Sequence, residues 1–596
     1  MQLPILNELP TTREKIEVFG GYNHNLRISE GEFYDMKNLT SADYPVLSPR
    51  NKRGIYATPE KPQGMVAKDS LCYVDGRDFI INENKVNMEL TDTPKTLISM
   101  GAYVIIMPDK KYINTANLED FGPIEASVTT SSTVTFEICK RDGTGYGDIP
   151  AQATEPSNPQ NMDMWIDTSS TPNALKQYSS KQAMWVAIAT TYIRISATGI
   201  GVPFSEGDGI TISGVTVDAL KESLNQDTVI EAKGDDYIVV VGIIEEATTQ
   251  STPICVSRWM PDLDHIVESQ NRLWGCKYGI VYRGKAYDTE KGQTVDVYSQ
   301  MTENLIWCCK LGDFKNWNCF KEGISTNSYN VPVGTDGQFT GAITHLGYPI
   351  FFKENCMHKV YGNYPANYQV QTTTCRGVQN GCSKSLAIVN EVLYYKSRYS
   401  VCAYDGSLPT EISSAFGDES YYNAVAGTLG NKYYISMSDA NEEWHLFVYD
   451  TKKGMWHRED NTQVAAFCNC RGDLYFIDYA DKQIKTVRGT GGTTESGEVK
   501  WEAVTGIIGT DSPDKKYISR MDVKMSLKVG TRVSLFAEYD SSGAWEHLFT
   551  MDGIKLKTFA IPTRPKRCDH MRLKIVGEGE AKIYSICKTI EQGSDV

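Results

Sequence analysis

The chain has 596 residues, of which 41% are hydrophobic and 22% are charged, and its formal net charge is −14. This length predicts several domains or one large repeat array, and the composition excludes a disordered chain. The negative charge disfavours a surface that grips nucleic acid through phosphate contacts, since such surfaces are basic.

Residues that favour strands and tight turns dominate the sequence. It contains 34 tyrosines and 49 glycines beside abundant Thr, Val and Ile, which suit pleated strands and the turns between them. We find neither a basic start followed by an apolar run nor any stretch approaching 18 apolar residues, so we expect no signal peptide and no membrane span. The sequence therefore predicts an all-β protein.

Residues 1–60 form a predicted N-terminal arm, whose stretch 31–54 reads GEFYDMKNLTSADYPVLSPRNKRG. It has neither helical spacing nor clean strand alternation, and its two prolines stiffen an extended chain. The arm is either a strap within one chain, which includes closing a propeller, or a contact with a neighbouring subunit. The candidate residues for that contact are Asp35, Tyr44, Pro45, Pro49, Arg50, Lys52 and Arg53.

Seven segments share one rhythm of an apolar strand, a Gly or Asn turn, an aromatic strand and a polar turn. They are 64–86, 96–114, 265–284, 337–362, 383–406, 421–450 and 462–489. From Gly337 onward they recur every ~40–45 residues, the period of four-stranded propeller blades. We predict a β-propeller of about six to eight blades, formed by residues 61–123 and 257–490; an ordinary β-sandwich is the alternative.

Two further regions differ in texture from these repeats. Residues 124–256 are predicted to be one or two inserted β modules, with a short helix at DALKESLN (218–225), because loop tips tolerate insertions. Trp165, Tyr178 and Trp185 in this insert are candidates for glycan contact, the alternative being a small aromatic core. After a linker at 491–498, residues 499–596 predict a C-terminal β-sandwich.

The residue pattern predicts no enzyme, no cofactor and no metal site. There are fifteen cysteines without a Cys-x-x-Cys and only eight histidines, a pattern that favours free thiols in a reducing cytoplasm. The GTGYGD run at 143–148 lacks the strand and helix of a nucleotide loop. Arg471-Gly472-Asp473 is a hairpin turn. The carboxylates considered for glycoside hydrolysis lie in predicted turns, where Asp is favoured for backbone reasons; they are Asp313, Glu354, Asp405 and Asp450.

A family resemblance is carried by the ordered motifs of the N-terminal segment. It contains Gly20, Gly21 and Asn23, then Asp35, Met36, Asn38 and Leu39, then Tyr44, Pro45, Leu47, Pro49 and Arg50. A second block contains NRLWG (271–275), KLGDFKNW (310–317), IFFKENCMHKVYGNYP (350–365), SKSLAIVNEVLYYKS (383–397) and VCAYDGSLPTEIS (401–413). Over roughly residues 16–120 and 265–490 the chain resembles phage tail proteins of the nozzle, tail hub or packaged-DNA stabilisation type.

The resemblance implies a structural virion protein without enzymatic activity. Such a subunit assembles in the bacterial host cytoplasm into a ring, expected to be a hexamer, and contacts the portal, adaptor or other tail proteins. The ring surrounds the DNA exit channel without reading sequence, retains the packaged genome and opens for ejection. Two alternatives stay open: a receptor- or polysaccharide-binding tail protein, and a propeller glycosidase.

Overall fold

The computed structural model describes residues 11–318, 327–510, 514–553, 555–563 and 566–592. The protein is all-β, with 52% of its residues in strands, as the composition predicted. Among the described residues, α-helix is confined to the turn Lys221–Leu224, which confirms the short helix predicted within 218–225. Three 3-10 turns lie at Pro365–Asn367, Ser383–Ser385 and Ser414–Phe416. Within these ranges, none of the helices has the length and apolarity that crossing a membrane requires.

The chain divides into two compact units. The first comprises residues 1–95, 352–357 and 373–596, and the second comprises residues 96–351 and 358–372. Each unit contains sheets whose strands are hydrogen-bonded in chain order, the arrangement typical of propeller blades.

The seven sheets of the described residues that coincide with the sequence repeats are numbered here in the order of those repeats; the strands of sheets 1 to 6 follow chain order, whereas sheet 7 includes a strand from residues 54–57. Sheet 1 contains Pro62–Ala67, Leu71–Asp75, Asp78–Ile81 and Asn84–Asn87, and sheet 2 contains Thr96–Met100, Tyr103–Met107, Lys111–Asn114 and Asn117–Pro123. Sheet 3 contains His265–Ser269, Arg272–Gly279, Glu303–Cys308 and Tyr329–Pro332, and sheet 4 contains Gly341–His345, Tyr348–Lys353, Cys356–Tyr361 and Gln369–Thr374. Sheet 5 contains Ala387–Val389, Val392–Lys396, Val401–Tyr404 and Thr410–Glu411, and sheet 6 contains Tyr422–Leu429, Lys432–Ser438, Trp444–Asp450 and Met455–Arg458. Sheet 7 contains Val464–Cys470, Asp473–Asp478, Ile484–Thr486, Gly54–Ala57 and Thr493–Thr494. Each of the seven repeats found in the sequence coincides with part of one sheet.

Sheet 7 combines strands from distant parts of the chain. The strand Gly54–Ala57 pairs antiparallel with Ile484–Thr486, placing Gly54 opposite Thr486 and Ile55 opposite Lys485. The end of the predicted arm therefore supplies a strand to the last repeat, where the sequence around residues 464–486 provides only three strands of its own.

Buried side chains between neighbouring sheets form the cores of both units. In the first unit, Met65 and Leu71 of sheet 1 pack with Tyr475 and Ile477 of sheet 7. In the second unit, apolar residues of sheets 2 and 3 form one cluster and those of sheets 3 and 4 form another. Stacking buries both faces of each sheet, and each fully buried large side chain contributes roughly 1.5–3 kcal/mol.

Residues 124–256, predicted to be an insert, form two larger sheets and one small sheet, and a separate hairpin lies beyond them in the chain. The larger sheets contain Ala126–Thr129, Cys255–Arg258, Gly209–Ser213 and Asp227–Val229, and Ala232–Gly234, Tyr237–Val241, Tyr192–Ser196, Val134–Cys139 and Thr248–Gln250. They share a buried core that includes Phe136, Ile195 and Ile212. The small sheet contains Ala151–Gln152, Met164–Asp167, Ala174–Ser179 and Met184–Ala187, and the hairpin Tyr282–Asp288 with Gln293–Tyr298 extends from sheet 3.

Two more sheets join the beginning of the chain to its end. One contains Thr11–Ile16, Ala581–Gln592, Lys516–Leu527 and Leu556–Ile561. The other contains Phe33–Lys37, Lys500–Thr505, Met571–Glu578, Arg532–Tyr539 and Glu546–Asp552. A short hairpin pairs Leu39–Thr40 with Ser48–Pro49. Two strands of the predicted arm thus belong to the C-terminal sheets, because unpaired strand edges gain hydrogen bonds by pairing.

Candidate functional site

The basic residues of the predicted arm lie in a buried ionic network. Arg53 donates to Glu459 at 2.7 Å and lies 2.9 Å from Asp460, and Arg50 donates to Glu495 at 2.6 Å. Burial opposes ionisation of Asp460, but the two guanidinium groups outweigh it and lower the pKa of Asp460 to about 2. This network fixes the arm against the end of sheet 6 and against the segment before the C-terminal sheets.

The other candidate residues of the arm also contact their own chain. Arg458 donates to Asp35 at 2.7 Å, and Lys52 pairs with Glu498 at 2.8 Å on the surface. The Lys453 ammonium lies 5.1 Å from the centroid of the Tyr44 ring. The Pro45 carbonyl accepts a hydrogen bond from the Phe19 amide at 3.0 Å, and Pro49 lies opposite Leu39 in a short hairpin. These residues form a strap within the chain. The contact with a neighbouring subunit stays a prediction.

Gly21 of the N-terminal motif is required by a close backbone approach. A Cβ on Gly21 would lie 2.0 Å from the Trp456 carbonyl oxygen, and the next amide, of Tyr22, donates to that same oxygen at 2.6 Å. Asn23 donates to the Glu32 carboxylate at 3.0 Å. The motif that carries the family resemblance therefore seats the strap on the last strand of sheet 6.

The three aromatic residues proposed for glycan contact lie in the small sheet of the insert. Trp165 is 2% exposed and Trp185 is 9% exposed, with ring centroids 5.4 Å apart. Tyr178 contacts Trp185 at the same 5.4 Å separation, and Lys176 covers the Trp165 ring. This packing favours the alternative of a small aromatic core around Trp165, and glycan contact by these residues stays a prediction.

The carboxylates considered for hydrolysis hold turns and the strap. Asp450 accepts from Ser41 Oγ at 2.5 Å and from Asn431 Nδ2 at 2.9 Å, so it anchors the strap. Asp405 accepts from the backbone amide of Ser407, Asp313 from that of Lys315, and Glu354 from that of Asn380. In Arg471-Gly472-Asp473 the carboxylate is buried and accepts from the amides of Leu474 and Arg488, which confirms the predicted turn.

One hairpin of sheet 6 brings together residue types that bind metals. Ligand atoms of Asp439, Glu443 and His445 lie within 4.8 Å of one another. The same groups have local roles: Asp439 accepts from the amides of Asn441 and Glu443, and its second oxygen lies 3.3 Å from His445 Nε2. Burial lowers the pKa of His445. The group is explained as a hydrogen-bonded turn.

A pocket in the first unit has the shape and chemistry of a ligand site. It has a volume of about 810 Å³ and is lined by parts of sheets 1, 6 and 7 and by the segment before sheet 5 that contains Ser383 and Lys384. Its wall includes Trp444, which is partly exposed, and Tyr479, which is 62% exposed. Aromatic side chains of this kind present an apolar face beside a polar group, which suits a sugar ring.

Charged groups surround these two aromatic rings. Lys61 pairs with Asp92 at 2.5 Å, and Asp478 pairs with Lys485 at 2.7 Å. The Lys384 ammonium donates to the Ala465 carbonyl at 3.1 Å, and burial lowers the pKa of Lys384.

Sequence reasoning missed this pocket because its residues are far apart in the chain. Some of them lie next to or at the start of a first strand, as with Pro62, Asn423 and Gln463, whereas Trp444 begins a third strand and Tyr479 follows a second strand. An alignment of the seven repeats on their first strands would have shown that some of these pocket residues lie at similar positions in their repeats.

Comparison with known proteins gives only distant likenesses. No family model matches the chain, and no curated protein matches it. Among solved structures, a glycoside hydrolase is 12% identical with a TM-score of 0.20, and the match covers 54% of this chain and 96% of that one. An exo-beta-1,3-galactanase from Phanerochaete chrysosporium is 8% identical with a TM-score of 0.19, covering 52% of this chain and 95% of that one. A Trypanosoma rangeli sialidase mutant displaying trans-sialidase activity is 10% identical with a TM-score of 0.22, covering 79% of this chain and 97% of that one.

These structures overturn one prediction made from the sequence. The chain was predicted not to be an enzyme, yet the solved structures it resembles are enzymes, so that exclusion was wrong. TM-scores near 0.2 carry no assignment of substrate or of catalytic residues to this chain.

Proposed function

We propose that this chain is a tail protein of a bacteriophage that binds a polysaccharide of the host surface. The observation that carries the binding function is the pocket lined by parts of sheets 1, 6 and 7, with Trp444 and Tyr479 in its wall. The ordered motifs of residues 16–120 and 265–490 support the tail assignment through their family resemblance.

The proposed architecture is a propeller of seven blades, sheets 1 to 7, in which Gly54–Ala57 completes the last blade. This strand joins the beginning of the repeat array to its end. The pocket then lies at one end of the array.

Replacing Tyr479 with Ala tests the binding function. The Tyr479 residue is 62% exposed, and its backbone amide donates a hydrogen bond to the Gln463 carbonyl. Because this hydrogen bond does not involve the side chain, we expect the variant to keep the fold and to lose the aromatic face. On an array of bacterial surface polysaccharides, we expect binding by the unchanged protein and a loss of about five- to twelvefold in the variant, which corresponds to one lost stacking contact of about 1–1.5 kcal/mol.

Tyr399→Ala is the matched control, since Tyr399 is 82% exposed and lies outside the pocket. Equal losses in both variants, or no binding by the unchanged protein, would contradict the proposal. Reducing sugar measured in the same samples separates a binder from a glycoside hydrolase.

A second candidate is a nozzle or hub subunit, favoured by the order of the motifs from Gly20 to Arg50. In this function the chain forms a ring, expected to be a hexamer, docks on a portal or adaptor and surrounds the exiting DNA in the virion. Electron microscopy of the purified chain with its portal–adaptor complex tests it. A ring whose hole admits duplex DNA, with loss of packaged DNA from particles lacking the protein, supports it; a monomer that does not dock contradicts it.

A further inference from the structure

The pocket of the proposed polysaccharide site is positively charged inside an acidic protein. Its wall contains three lysines, Lys61, Lys384 and Lys482, and two aspartates, Asp92 and Asp478, whereas the chain as a whole has a net charge of −14. A concave wall with an excess of one sign concentrates ligands of the opposite sign.

Both aspartates already have cationic partners within the protein. Asp92 lies 2.5 Å from Lys61 and also accepts from Gln63 at 2.6 Å. Asp478 lies 2.7 Å from Lys485. Lys485 also pairs with Asp481 at 2.5 Å, so Asp478 shares its cation, and the excess positive charge of the wall comes from Lys384 and Lys482.

Lys384 and Lys482 have no carboxylate partner among the described residues. Lys384 makes one hydrogen bond, to the neutral Ala465 carbonyl, and an ammonium has three donors. The residue as a whole is exposed to solvent, while partial burial of its ammonium lowers the pKa of Lys384. Lys482 is exposed at the rim, three residues after Tyr479. An incoming anion would satisfy donors that the protein leaves open.

We propose that the ligand of this pocket is an anionic polysaccharide, whose carboxylate or phosphate group is held by Lys384 and Lys482 while Trp444 and Tyr479 contact its sugar or polyol chain. This inference rests on the proposed polysaccharide binding and specifies the class of polymer. Uronic acids and polyol phosphates offer the same negative charge, so they are two sources of one recognition chemistry.

The experiment compares three defined polymers in binding to the full chain: alginate, carboxyl-reduced alginate and poly(glycerol phosphate). We expect an anionic polymer to bind at least tenfold more tightly than the reduced one, and its affinity to fall as salt rises from 50 to about 500 mM, since salt screens exposed charges. Binding by alginate identifies a carboxylate, and binding by poly(glycerol phosphate) alone identifies a phosphate.

The Lys384→Gln, Lys482→Gln double variant then tests the residues. We expect it to lose at least tenfold in affinity, while Lys500→Gln, which removes one positive charge from an exposed position outside the pocket, retains the affinity of the unchanged protein. A double variant that binds as tightly as the unchanged chain would overturn the inference.

The outcomes separate this inference from the function on which it rests. The proposal of an anionic ligand is overturned if alginate and its reduced form bind equally tightly. It is also overturned if only neutral polysaccharides of the array bind. In both cases the proposed polysaccharide binding still holds. Absence of binding by every polysaccharide tested overturns both.

Discussion

Arg53 and Glu459 form an ion pair at 2.7 Å in which the two side chains are only 4% and 5% exposed. Arg53 directly precedes the strand Gly54–Ala57 of sheet 7, and Glu459 directly follows the last strand of sheet 6. The pair therefore fixes the N-terminal strap at the place where it enters the repeat array.

Replacing Arg53 with Met should destabilise the first unit by about 3–5 kcal/mol, the usual cost of leaving a buried charge without its partner. Glu459 would then be left buried with only the more distant Arg50 guanidinium, at 3.9 Å, to compensate it. The measurement is urea unfolding followed by tryptophan fluorescence. Lys52→Gln is the control, because its pair with Glu498 is exposed and should be worth less than about 1 kcal/mol. Equal effects of the two changes would contradict the prediction.

Replacing Gly21 with Ala should shift the strap away from sheet 6. The added Cβ would meet the Trp456 carbonyl oxygen at 2.0 Å, and backbone atoms cannot rotate away as a flexible side chain can. We expect a loss of about 1–3 kcal/mol, as for other overpacked positions, and faster proteolysis of residues 11–50. Gly492→Ala serves as the control, since no heavy atom lies within 4 Å of a Cβ placed there. A Gly21→Ala variant that is as stable as the unchanged protein would contradict the close contact between Gly21 and sheet 6.

The stability of the first unit should decrease as the pH falls from about 6.5 to about 3, partly because of His457. This residue is 3% exposed, and burial lowers its pKa to about 3, with Lys432 acting in the same direction. The unfolded chain, with a histidine pKa of about 6.5, binds a proton in this range that the native state does not bind. Stability is therefore full above pH about 6.5 and is lost towards the native pKa.

The slope attributable to one such proton is about 1.4 kcal/mol per pH unit. His457→Gln should reduce the slope of the free energy of unfolding against pH by up to this amount. His547→Gln, at an exposed position, should leave the slope unchanged. A slope that is identical in the unchanged protein and in His457→Gln would rule out this titration.

Replacing Trp165 with Ala should unfold the small sheet of the insert and leave the repeats folded. The side chain is 2% exposed and its indole donates to the Gln152 carbonyl at 2.9 Å, so truncation should cost about 3–5 kcal/mol. Limited proteolysis should show new cleavage within residues 151–187. Met184→Ala, at a side chain 54% exposed in the same sheet, should change stability by less than about 0.5 kcal/mol. Protection equal to that of the unchanged protein would exclude a core function for Trp165.

The sequence by itself determined the all-β class, the seven repeats and the short helix, because these depend on local patterns. Alternating apolar positions such as Tyr433 and Ile435 specify a strand wherever it packs, and the glycines and asparagines between them specify the turns. The turn at Arg471-Gly472-Asp473 was predictable for the same reason.

Only the tertiary structure decided where distant segments meet. Arg53 and Glu459 are 406 positions apart, and no local pattern pairs an arginine near the beginning of the chain with a glutamate after the sixth sheet. The same holds for Gly54–Ala57 in sheet 7, and for the pocket, whose lysines and aromatic residues come from different repeats. The sequence around Trp165 does not distinguish a side chain that faces water from one that is buried in a core. Burial and long-range pairing are properties of the packed chain, because hydrophobic burial depends on the total surface covered and not on neighbours in sequence.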